Sequence, residues 1–176
     1  MNKKLIKNLK FKIKNYKKGF TLIELLIYMS IFSMLIIMMF QLLTSILDVQ
    51  LESQSTSAVS QDGRFILNRL TYDIKNAKTV TSPSIGSQGQ SLVISDGNTT
   101  YTYNLSNNNL TLTNSVTGTT DQLNSVNTSV SSLNFLTLSD VKAENKTVTV
   151  SFTIDSKVTR RSGINTESFK ITVGTR

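Results

Sequence analysis

The sequence predicts an α+β protein in which one long N-terminal helix packs on an antiparallel β-sheet. The first half of that helix is expected to span a membrane, and the second half to be amphipathic. Three observations carry the expectation. From Phe20 to Leu47 the chain is apolar and holds a single charge, Glu24. From Leu51 to Ala77 apolar residues recur at three- and four-residue steps. Beyond that, short stretches alternate apolar and polar residues between Gly, Pro and Asn clusters, the pattern of strands joined by turns.

The first 18 residues are a basic leader. Eight of the 19 Lys and Arg residues lie there and no acid does, so the other 11 basic residues balance 11 acidic ones. The net charge of +8 therefore belongs to the leader and gives no ground for a nucleic-acid-binding domain. Leu5, Ile6, Leu9, Phe11, Ile13 and Tyr16 interrupt the lysines and would let the leader lie on the inner membrane surface. Lysines ahead of a membrane helix keep that side cytoplasmic, which places the C-terminal part outside.

The 28 residues from Phe20 to Leu47 would span about 42 Å as a helix, more than a hydrocarbon layer of about 30 Å. An ordinary secretory signal is cut after its apolar run, at small residues. No such site follows Leu43, so the apolar run is expected to stay. Glu24 is the anomaly. A lone acid in such a helix costs on the order of 3 kcal/mol near the bilayer centre and usually has a partner. If the chain is cut between Gly19 and Phe20, Phe20 gains an α-amino group and Glu24 lies one turn away. There the carboxylate could accept a neighbouring subunit's terminal ammonium, at the positive end of the helix dipole. A plain membrane anchor with an acid at headgroup level is the blander alternative.

Lys18-Gly19-Phe20-Thr21-Leu22-Ile23-Glu24 resembles the class III signal of type IV pilins and of the pseudopilins of type II secretion and competence systems. The resemblance implies a pilin-like fold, cleavage after Gly19 by a prepilin peptidase, methylation of Phe20, and assembly into a helical filament guided by Glu24. It also implies an assembly ATPase, a platform protein and sister pilins as partners. The specific match covers about the first 45 residues. Gln61–Ile74 looks like the helix of J-type minor pseudopilins and their competence counterparts.

Asp48–Lys78 reads as the soluble half of the helix. Leu51, Ala58, Val59, Phe65, Ile66, Leu70, Ile74 and Ala77 form its apolar stripe. Ser53–Ser60 is a thin, serine-rich stretch where the helix is expected to loosen, and Gly63 is expected to mark a bend. Arg69 and Asp73, four apart, are expected to pair on the exposed face. Thr79–Gln90, with Pro83, Gly86 and Gly89, reads as a linker. Leu92–Ile94, Tyr101–Leu105 and Leu110–Leu112 read as three strands in a meander, with turns at Asp96-Gly97-Asn98 and Asn107-Asn108-Asn109. Thr113–Ser129 is polar and reads as a long connection. A strand follows near Ser131–Leu138, then a turn around Asp140–Lys146. The strand Thr147–Ile154 alternates cleanly, Lys157–Asn165 is a basic loop, and Phe169, Ile171 and Val173 mark the last strand. The expected divisions are a removed leader (1–19), a membrane and filament-core helix (20–47), its soluble half (48–78), and an extracytoplasmic β domain (79–176).

The chain has no Cys, His or Trp. This removes disulfides, thiol and Ser-His-Asp catalysis, and imidazole metal ligation. No phosphate- or dinucleotide-binding glycine signature occurs, and no enzyme activity, resident metal or cofactor is expected. Asp96, Asp121, Asp140, Glu144 and Asp155 could offer oxygens to calcium, but their spacing fits no defined loop and solvated turn positions suit them better. Arg160 and Arg161 could contact DNA phosphates or a partner's acids, with a solvated basic loop as the plainer alternative. The functional expectation is a minor pilin or pseudopilin. A filament-tip module binding DNA or a surface ligand, and a signal-anchored envelope protein that never polymerises, are the alternatives.

Overall fold

The computed structural model describes residues 19–139 and 146–175. The leader, most of the expected turn at Asp140–Lys146, and the acids Asp140 and Glu144 lie outside the described residues. The chain divides into two compact units after Thr44.

Among the described residues one helix, α1, runs continuously over Leu22–Asn76. In the first unit its large apolar side chains stand exposed. Among the described residues this is the one helix long and apolar enough to cross a membrane, with a mean hydropathy of 2.3 over its most apolar 18-residue window. A continuous apolar surface of this kind is not one that water covers cheaply.

In the second unit the rest of α1 packs against antiparallel strands, as the sequence predicted. Its buried positions are Ser55, Val59, Gly63, Ile66, Leu70, Asp73 and Ile74, spaced at helical steps on one face. The expected stripe was right at Val59, Ile66, Leu70, Ile74 and Ala77 and wrong at Leu51 and Phe65, which are exposed. Neither the serine-rich stretch nor Gly63 interrupts the helix. Gly63 is there for proximity: a Cβ at this position would collide with the Phe169 ring.

Among the described residues, nine strands form two sheets. The first has the order β1 (Thr79–Ser82), β3 (Leu92–Ser95), β4 (Thr100–Ser106), β5 (Asn109–Asn114), β6 (Thr120–Gln122). The second has the order β2 (Gln88–Gly89), β7 (Thr128–Ser139), β8 (Lys146–Ser156), β9 (Thr166–Gly174). The β3–β4–β5 meander is as expected. Its second turn places Asn107 at φ 49° and Asn108 at φ 60°, the left-handed pair that a tight two-residue hairpin needs and that Asn tolerates. In the first turn Gly97 takes φ 99°. Asp96 Oδ1 there accepts the backbone N–H groups of Asn98 and Thr99, both at 2.8 Å. These two bonds hold the Asp96 carboxyl below its ordinary pKa.

Two polar stretches expected as connections contain strands. Thr79–Gln90 holds β1 and β2, and Thr113–Ser129 holds β6. All three are short and lie at sheet edges, so little of their surface is buried and no apolar alternation is required of them. One core unites both sheets and the helix: Ile66, Leu70, Leu92, Tyr103, Leu110, Phe135, Val150 and Phe152 are all fully or almost fully buried in it. Strand β8 pairs on both sides, with β7 and β9, and alternates from Val148 to Ile154 because one of its faces is buried.

Candidate functional site

The junction at Gly19 is built by local chemistry. Thr21 precedes the helix, and its Oγ1 accepts the Glu24 backbone N–H at 3.2 Å. Its carbonyl takes the first intrahelical bond, from Leu25 N at 3.1 Å. Thr21 is therefore the N-cap, and the Thr-x-x-Glu spacing places the acid at the third helical position, where helix N-termini favour negative charge. Tyr28, one turn on, donates its hydroxyl to Glu24 Oε1 at 3.2 Å. Its ring meets that of Phe20 edge to face, with centroids 6.2 Å apart and planes at 80°. Phe20 and Glu24 thus share one neighbour. Sequence reasoning missed Thr21 and Tyr28, although the capping spacing and the four-residue step from Glu24 were both legible.

Gly19 is exposed, and among the described residues nothing lies within 4 Å of a Cβ built on it. The peptide bond between Gly19 and Phe20 lies ahead of the first helical residue, Leu22.

The other singled-out residues, Arg160 and Arg161, sit in the loop between β8 and β9 and face helix carboxylates. The Arg160 guanidinium pairs with Glu52, and its Nε donates to the Gly163 carbonyl at 3.1 Å, closing a small bridged turn. Ser162 donates to the second Glu52 oxygen at 3.1 Å. Arg161 Nη1 lies 3.6 Å from Asp48 Oδ2. Asp48 and Glu52 are four apart on α1, so the loop grips one helix face.

Arg69 and Asp73 do pair, at 2.8 Å, but not on the exposed face: the Asp73 side chain is only 2% exposed and that of Arg69 is 38% exposed. The buried Tyr103 hydroxyl also donates to Asp73. Burial, and then the bond to Asp73, drives the Tyr103 pKa far above its usual value. For Arg69, burial would lower the pKa, but the Asp73 carboxylate and Tyr103 outweigh it and the net shift is upward. Asp73 is thus a polar bolt between helix and sheet rather than a surface partner.

Of the candidate calcium acids that are described, Asp96 caps its own turn. Asp155 accepts hydrogen bonds from Ser131 and Thr166. Among the described residues no cluster of three or more His, Cys, Asp or Glu side chains is placed to hold a metal.

Comparison with known proteins finds a motif over the stretch around Gly19. Residues 14–40 match the prokaryotic N-terminal methylation motif. No curated protein and no solved structure matches the chain. The matched stretch contains Gly19, Phe20, the Thr21 cap and Glu24 at the start of a long apolar helix. The chain therefore carries the class III signal of type IV pilin-like proteins.

Proposed function

We propose that the protein is a minor pilin or pseudopilin, a non-enzymatic structural subunit made as a membrane precursor and assembled into a type IV pilus-like filament. The observation that carries this reading is the signal at residues 14–40 joined to a continuous helix whose apolar first half is exposed. Prepilin peptidase cuts between Gly19 and Phe20 and methylates the new amino terminus. Residues 20–47 hold the subunit in the membrane as a single span, N-terminus cytoplasmic, and later line the filament core. Residues 48–78 and 79–176 form the extracytoplasmic part. An assembly ATPase, a platform protein and sister pilins complete the system.

In this scheme Glu24 accepts the Phe20 ammonium of a neighbouring subunit. Each ion offsets the other's desolvation inside the apolar bundle. Replacing Glu24 by Ala should leave membrane insertion intact and abolish recovery of the subunit in the sheared filament fraction. Normal incorporation of Glu24→Ala would sink the ion pair as the assembly device.

A further inference from the structure

Asp48 and Glu52 stand one and five residues past Leu47, where the apolar tract ends. At 1.5 Å per residue, the loop that grips them is fastened within about 8 Å along the helix of that end. Two carboxylates at this level would be repelled by anionic headgroups. The loop lays the Arg160 and Arg161 guanidiniums against them and adds Lys157, which is exposed. Arg161 remains 87% exposed beside its long ion pair, which leaves donors free for phosphate oxygens. Val49 on the helix and Ile164 in the loop are 66% and 63% exposed. Apolar side chains beside cations are what segments lying in the headgroup layer display.

Resting on the reading of residues 20–47 as a membrane span, we propose that the loop of residues 157–164 is a contact for anionic lipid headgroups on the outer leaflet. Its cations meet the phosphates and Ile164 enters the boundary below them. The contact holds the β unit against the membrane until the subunit is withdrawn into a filament. Charge complementarity and continuity with the apolar tract both favour lipid as the occupant.

The absence of cysteine allows Ile164→Cys to carry a single environment-sensitive fluorophore on the full chain. The labelled protein is reconstituted into vesicles of phosphatidylcholine alone or with added phosphatidylglycerol. The expected result is a blue-shifted emission and a severalfold loss of quenching by aqueous iodide in the anionic vesicles only. Lys157→Glu with Arg161→Glu should abolish both, and a probe at Thr117→Cys, in the β5–β6 turn, should show neither. A probe equally wet in both vesicle types, in protein that floats with them, overturns the lipid contact alone. Failure to float with either vesicle removes the membrane span and the contact together. A shift produced by duplex DNA and not by anionic lipid assigns the loop to nucleic acid and overturns the proposal.

Discussion

The ring of Phe169 on β9 occupies the space that a Cβ at Gly63 of α1 would need. The same ring stacks on Phe152 of β8, with centroids 5.4 Å apart and planes at 20°. It is partly buried, against the helix on one side and the sheet on the other. Alanine at Gly63 gains about 1 kcal/mol of helix propensity, but overpacking a filled contact costs about 1–3 kcal/mol. Gly63→Ala should therefore lower stability by about 1 kcal/mol in urea unfolding followed by circular dichroism, and adding Phe169→Leu should return most of the loss. A more stable Gly63→Ala protein would mean that the ring moves freely.

Gly63 also shows where the sequence stops being readable. Periodicity finds positions that are apolar, and the buried face of α1 includes a serine, a glycine and an aspartate. Gly63 lies where the Phe169 ring comes too close for a side chain, and Asp73 is buried with Tyr103 and Arg69 as its partners. Both depend on strands far away in sequence, Phe169 on β9 and Tyr103 on β4. Phe65 looked like core because it is large and apolar, yet it lies just off the packed face and is exposed. Strands β3, β4, β5 and β8 were legible because each must alternate to bury one face. Strands β1, β2 and β6 were not, because as short edges they bury little. The N-terminal signal was legible because its residues are adjacent, and the matched motif at residues 14–40 covers them.

The Asp73–Tyr103 bond should be worth measuring by removal. Tyr103→Phe keeps the ring in the core and takes one donor from a buried carboxylate, a loss of about 1.5–3 kcal/mol for a hydrogen bond to a charged group. Chemical denaturation at neutral pH checks this, and a change near zero would contradict it.

The same tyrosine sets an alkaline limit. Its folded pKa lies above the ordinary value of 10.0, through burial and then the bond to Asp73. The folded protein keeps that proton at pH values where the unfolded chain releases it. This contribution to stability is whole below about pH 10 and declines as pH rises beyond that toward the folded pKa. Stability of wild type minus Tyr103→Phe should therefore be constant up to about pH 10 and shrink above it. A difference that grows with pH would contradict the assignment.

Asp62 fastens the β6–β7 connection to the helix. Its Oδ2 accepts the Ser125 backbone N–H at 2.8 Å and the Thr128 hydroxyl at 2.5 Å. Asp62→Ala removes both and should cost about 1.5–3 kcal/mol. Hydrogen exchange should rise first at residues 123–128, before the paired strands β7 and β8 change. Uniform acceleration across the β unit would show that the contact serves the whole fold instead.

The central claim is a severed bond ahead of the apolar helix, and the most direct test is the intact mass and N-terminal residue of the protein recovered from cells. The account predicts a chain that begins at Phe20 with one added methyl group on its amino nitrogen and retains residues 20–47. A mature chain that still carries the lysine-rich leader, or that has lost the apolar helix, would contradict it.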